Sequence, residues 1–128
     1  MIRIFLSHRS VDKPRCAELA AWLAGRGVFV AYDAWDLRGG DDLVAWIEGA
    51  LSRADAVLIV LSRTGVGDRS WMRWELSVAQ ALHIEEGLRL IPVLLDDDAP
   101  IPAGLRPLLR RASADRDALL ADLLGTSA

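Results

Sequence analysis

Short apolar runs alternate with amphipathic stretches along the whole chain. Ile2 to Leu6 reads as a strand. Residues from about 11 to 26 then set Cys16, Leu19, Ala20 and Leu23 at helical spacing, and Gly25 and Gly27 supply the stop signal. Val28 to Tyr32 reads as a second strand, followed by a polar, glycine-bearing loop from Asp33 to Gly40. Over 41–53, Leu43, Trp46, Ile47, Ala50 and Leu51 fall on one face of a helix. Asp41 and Asp42 suit the positive end of its dipole. Ala56 to Leu61 is continuously apolar, as suits a strand buried on both faces. After a Ser, Thr and Gly loop to Arg69, Ser70 caps a helix over about 71–86 that Gly87 can end. Leu90 to Leu95 is a fourth strand, and a proline-rich stretch (Pro100, Pro102, Pro107) leads to a short fifth near 109–112. A helix over about 115–124 comes last.

This alternation predicts an α/β fold: a central parallel five-stranded sheet with helices on both faces. Right-handed crossovers leave few topologies, of which the flavodoxin-like order 2-1-3-4-5 is commonest at this size. Ligands of such sheets bind at the carboxyl ends of the strands. The loops that matter are therefore 7–12, 33–41, 62–70 and 96–103.

Composition narrows the chemistry. With 128 residues, 52% hydrophobic and 26% charged, the chain reads as one folded domain over 1–128 rather than a disordered segment. No apolar run is long enough to cross a bilayer and no signal-peptide pattern opens the chain, so a cytoplasmic protein without a membrane partner is expected. The lone Cys16 excludes a disulfide framework and a cysteine-based zinc site, and no metal is expected. A net charge of −3 gives no support to nucleic-acid binding. Lys13 is the only lysine, and neither a P-loop nor a Gly-x-Gly-x-x-Gly run occurs. A phospho-accepting receiver is excluded because the first strand runs into Ser7-His8-Arg9 and the third into Ser62-Arg63, where such chemistry needs carboxylates.

Glu75 is the most informative residue. Trp71, Trp74, Glu75, Val78, Ala79 and Leu82 share one helical face, with Arg73, Ser77 and Gln80 opposite. A carboxylate inside an apolar stripe is costly unless it is paired or has a task. Two readings stand side by side: a group poised to stabilise a cation, or a glutamate paired with an arginine such as Arg9 or Arg63. His8 and His83 read as hydrogen-bonded structural residues, and Cys16 as core. Asp96-Asp97-Asp98 reads as a solvated turn, because three successive residues cannot all face one ion. Trp35 is either a lid that stacks on a ligand or an anchor for a protein contact.

Several segments together resemble TIR domains. Ile4 to Asp12 is similar to their first signature, and Asp33 to Asp42 to their BB loop. Ala54 to Ser62 is similar to their third strand, Trp71-Met72-Arg73-Trp74-Glu75 to their W-x-x-x-E motif, and Ile91-Pro92-Val93 to their fourth strand. The resemblance covers about residues 1–105. It implies an enzyme that takes NAD+ as substrate, with no separate cofactor, and cleaves the nicotinamide–ribose bond to give ADP-ribose or a cyclic form. Glu75 would be its essential residue, with Trp71, Ser7, His8, Arg9, Trp35 and Asp36 as substrate contacts. It further implies a role in bacterial immune or antiphage defence, self-assembly with other TIR domains through the 33–42 loop, and a sensor domain or subunit as partner. The alternative is a non-catalytic TIR–TIR scaffold. The BB loop departs from the common pattern: Trp35-Asp36-Leu37-Arg38-Gly39-Gly40 lacks its proline.

Overall fold

The computed structural model describes residues 1–31, 43–64 and 71–125, and among these leaves aside the side chains of Ser10, 43–47 and 71–76. The elements are β1 (Arg3–Ser7), α1 (Lys13–Ala24), β2 (Phe29–Ala31), α2 (Leu43–Arg53), β3 (Ala56–Leu61), α3 (Trp71–Glu86), β4 (Arg89–Leu94), β5 (Arg111–Ala112) and α4 (Arg116–Leu124). One sheet in the order β2-β1-β3-β4-β5, with every pairing parallel, gives the flavodoxin-like topology that the periodicity predicts.

Local chemistry sets these bounds. Every residue of β3 is buried, as a central strand with both faces covered requires. A 3-10 turn over Ser10–Asp12 leads into α1, which carries Pro14 in its first turn, where a missing N–H costs nothing. Gly27 (φ 84°) and Gly87 (φ 73°) take the left-handed conformation after α1 and α3, which residues with a Cβ rarely adopt. The fifth strand is only two residues long, and Leu109 just before it is 73% exposed rather than part of the ladder. The Asp41, Asp42 and Ser70 capping expectations lie outside the described residues.

Side-chain alternation sorts the core into two clusters, one on each face of the sheet. On one face Ile4, Leu6, Leu58 and Val93 pack against Leu19 and Leu23 of α1 and Leu119 and Leu123 of α4. On the other, Phe5, Val57, Ile59 and Leu61 pack against Ala50 and Leu51 of α2 and Ala79 of α3. The helix-face expectations hold for all four α1 residues and for Ala50, Leu51 and Ala79, which are buried. Gln80 is half-buried rather than fully outward, with its amide against the backbone of Gly104. No helix among the described residues is long and apolar enough to cross a membrane.

Candidate functional site at the carboxyl ends of the strands

Parallel strands deliver their carboxyl ends to one edge, and the chain places polar residues there. β1 ends on Ser7, whose side chain follows Phe5 onto the α2–α3 face by strand alternation. Ser7 is fully buried and its Oγ has no hydrogen-bond partner among the described residues. A buried hydroxyl in that state is costly, which makes it an unusual feature of a native interior. His8 is buried as well, and its Nδ1 donates to the Arg9 carbonyl at 2.8 Å. That bond fixes the proton on Nδ1 in the neutral ring.

Arg9 reaches across to β3, its Nη1 donating to the Thr64 carbonyl at 2.9 Å. Ser62, just past β3, is buried and donates its hydroxyl to Asp12 Oδ2 at 2.7 Å. The Thr64 hydroxyl lies 2.7 Å from the same Ser62 oxygen. Asp96, just past β4, accepts two bonds from the Arg15 guanidinium, at 3.0 and 3.1 Å, and one from the Arg63 backbone N–H at 2.9 Å. The Arg15 hydrogen bonds, followed by that backbone bond, hold the Asp96 carboxyl well below the ordinary aspartate range. Arg15 also lies 3.7 Å from Asp12, and Arg63 3.4 Å from Asp98. The acidic turn is therefore not uniformly solvated. Asp97 and Asp98 face water, while Asp96 is drawn in by an arginine from α1 and an amide from the β3 exit.

The remaining expected site residues divide in two. Trp71 and Glu75 stand in the first and second turns of α3, which packs on β1. Their side chains lie outside the described residues, as do Trp35 and Asp36 altogether. Ala79, one helical turn after Glu75, is fully buried against the sheet. Both arginines considered as partners for Glu75 have other described partners: the Thr64 carbonyl for Arg9, and Asp96 with Asp98 for Arg63. His83 is structural as expected, its Nδ1 donating to the Leu88 carbonyl at 2.6 Å across the turn from α3 into β4.

The sequence does not mark Asp12, Ser62, Arg15 and Asp96 as one cluster. Ser62 and Asp96 stand just beyond β3 and β4, but nothing in the linear pattern ties them to Asp12 and Arg15. A cleft of about 390 Å³ between α3 and the segment before β5, lined by Ile84, Leu90, Pro107 and Leu108 among others, holds none of the expected site residues. Among the described residues no three His, Cys, Asp or Glu side chains converge as a metal-binding set.

Comparison with known proteins fits this architecture. Residues 4–124 match the TIR domain family. The chain is 33% identical over 90 residues to a probable 2′ cyclic ADP-D-ribose synthase, TcpB, of Brucella abortus, a match covering 70% of this chain and 36% of that protein. It is 31% identical over 90 residues to the 2′ cyclic ADP-D-ribose synthase BtTIR of Bacteroides thetaiotaomicron, covering 70% of this chain and 31% of that one. The matched segment thus spans about a third of each relative's length. Among solved structures, a metazoan TIR-STING receptor from C. gigas superimposes with a TM-score of 0.74 at 22% identity, covering 94% of this chain and 39% of the receptor. With the family match spanning nearly the whole chain and the sheet order agreeing, the protein is a member of the TIR domain family.

Proposed function

We propose that this TIR domain is an NAD+ glycohydrolase, a cytoplasmic effector of bacterial antiphage defence that works when assembled, with Glu75 as its essential carboxylate. The observation that carries the reading is the phase of α3. Ala79 is buried against the sheet, and the 3.6-residue period of the sequence gives Glu75, one turn earlier, the same face. Two further observations support it. The two bacterial relatives are named as a probable synthase and a synthase of 2′ cyclic ADP-D-ribose, and the buried Ser7 hydroxyl on the same face of the sheet has no partner among the described residues.

The chemistry suits one carboxylate. Nicotinamide in NAD+ is a cationic pyridinium, so it leaves as a neutral base when the bond from ribose C1′ to its nitrogen breaks and the electron pair goes to that nitrogen. No general acid is needed for departure. The positive charge passes to the ribose, and an anionic oxygen beside C1′ lowers the barrier most where that charge is largest. Water then adds to C1′ and releases a proton, giving ADP-ribose; a hydroxyl of the same dinucleotide adding instead gives a cyclic product. Ser7 is read as a hydrogen-bond partner of the substrate, and Trp71 as a wall of the nicotinamide pocket. His8 and Arg9 frame the β1 side, with the Arg9 reach toward a phosphate constrained by its bond to Thr64. Trp35 and Asp36, on the 33–42 loop, complete the set, and the same loop is read as the contact to a neighbouring TIR domain.

The test is nicotinamide release from NAD+ by the purified protein at high concentration, alone and tethered into proximity, beside Glu75→Ala and Glu75→Gln. Both variants are expected to fold normally and to lose about a hundredfold or more of the rate, as when the main charge-stabilising group is removed. Equal turnover in wild type and variants sinks the Glu75 assignment. Absence of turnover even under tethering turns the reading to a scaffold.

A further inference from the structure

The polar cluster at the strand ends has a pattern that stability alone does not require. Three loops leave the carboxyl ends of β1, β3 and β4, and the segment Ser62–Thr64 after β3 is held from both neighbours. From the β1 side, Asp12 takes the Ser62 hydroxyl at 2.7 Å and Arg9 holds the Thr64 carbonyl at 2.9 Å. From the β4 side, Asp96 takes the Arg63 backbone N–H at 2.9 Å while both its oxygens are forked by Arg15 of α1. Asp96 thus ties the exit of β3 and the end of β4 to α1, the helix that follows the β1 loop. Its side chain is only 12% exposed, whereas those of Arg15 and Arg63 are 46% and 67% exposed. Ion pairs whose cations stand in solvent contribute little to stability, so the precision of the arrangement calls for another reason.

That reason lies further along the polypeptide. Beyond Ser62–Thr64 the chain enters α3 at Trp71, and Glu75 stands in the second turn. A chemical step that depends on a carboxylate near one ribose carbon is sensitive to displacements of about 1 Å in the backbone carrying it. We propose that Asp96 is a positioning residue of the NAD+-cleaving site: it fixes the exit of β3 to α1 and to the end of β4, and so fixes where α3 begins. The inference rests on the reading of Glu75 given above, and its test separates the two.

A second arginine–aspartate fork provides the control. Arg111 of β5 is paired with Asp122 of α4 through its Nε and Nη2, and the Asp122 carboxyl is likewise lowered, yet among the described residues this pair has no hydrogen bond or ion pair to the β1 or β3 exit. Asp96→Ala and Asp122→Ala each remove one such fork. In the full chain, Asp96→Ala is expected to lower kcat for nicotinamide release by about tenfold or more, with KM within about twofold, while Asp122→Ala leaves kcat unchanged. Asp96→Asn keeps an acceptor for the Arg63 amide and should fall between wild type and Asp96→Ala.

Amide hydrogen exchange supplies the readout that does not depend on catalysis. Asp96→Ala should speed exchange in peptides covering 62–76 and leave α4 unchanged, and Asp122→Ala should leave 62–76 unchanged. Faster exchange at 62–76 without any wild-type NAD+ cleavage refutes the enzyme reading and keeps the strut. Unchanged exchange at 62–76 in folded Asp96→Ala overturns the proposal, as does an equal loss of kcat in Asp122→Ala. Where Asp96→Ala does not fold, Arg15→Gln makes the same comparison, because it leaves the carboxylate and its amide partner in place.

Discussion

On the α1–α4 face of the sheet, Ile4, Leu6 and Leu58 meet Leu19, Leu23 and Leu119, and Cys16 completes a cluster without an oxygen in its side chains. On the α2–α3 face, Phe5, Ile59 and Leu61 meet Ala50, Leu51 and Ala79, but β1 ends there on a buried hydroxyl with no partner among the described residues. The same strands supply both faces, and strand alternation alone decides which side chain goes where. At the α1–α4 side the buried polar groups, Ser62 and Asp12, satisfy each other at 2.7 Å, whereas Ser7 on the other face is an exception to that rule. Natural sequences break the rules of burial mainly where a function compensates, so the exception is where substrate is sought.

The largest effect that sharpens this contrast comes from the apolar interior of the α1–α4 face. Leu58 is fully buried in the central strand. Leu58→Ala should lower stability by about 2–5 kcal/mol, because the lost contacts and the cavity add. Urea unfolding followed by circular dichroism measures this, while nicotinamide release per folded molecule should stay within about twofold. A large rate loss in fully folded Leu58→Ala means that the two faces do not divide structure from chemistry.

Next in size is a pair of substitutions with opposite signs. Cys16→Ser sets a hydroxyl into the apolar face and should cost about 1–3 kcal/mol with little change in turnover. The wild-type thiol is pushed up to about 12, chiefly by burial and then by nearby Asp12, so it should also resist thiol reagents in the native protein. Ser7→Ala removes the unsatisfied hydroxyl from the other face. It should leave the unfolding free energy unchanged or raise it by about 1 kcal/mol, while nicotinamide release falls about tenfold. Full activity in Ser7→Ala, or a clear loss of stability, removes Ser7 from the substrate's contacts.

Fold and site differ in how far they are legible in the chain. The elements and helical faces come from periodicity because burial repeats every two or every 3.6 residues, while strand order follows from right-handed crossovers and the end of α3 from Gly87. The fifth strand is harder to read: Leu109 is apolar yet faces solvent, and the ladder pairs only Arg111 with Val93 and Ala112 with Leu94. At the site, the position of Ser7 at a strand end is readable, but its missing partner is not, since an absence has no linear signature. Local pattern puts Asp96 in a solvated turn because its partners Arg63 and Arg15 are 33 and 81 residues away. The Asp12–Ser62 bond likewise spans 50 residues. Local pattern reports which face a residue shows, and only the folded sheet brings three loop ends together.

The smallest expected effect concerns acid, and it also distinguishes the faces. Among the described residues, the ion pairs gather around the α1–α4 side and the strand ends: Arg15 of α1 with Asp96, and Arg111 with Asp122 of α4. Both aspartates are held below the ordinary value of 3.8 by their arginine hydrogen bonds first, with burial opposing. A depressed carboxyl binds its proton less readily in the folded state than in the unfolded one. Its contribution to stability is therefore present above about pH 4 and is lost as the pH falls through the folded value. Because both pairs stand at least partly in solvent, each contribution is modest and should shrink further in high salt, more so for Arg15, which is 46% exposed, than for Arg111, which is 29% exposed. Amide exchange at pH 3 against pH 6, corrected for intrinsic rates, should show α1 and α4 losing protection before α2. In Asp122→Asn the extra loss at α4 should vanish while that at α1 remains. Uniform loss over both faces places the acid sensitivity in the whole fold rather than in these two forks, and the contrast between the faces is then one of packing alone.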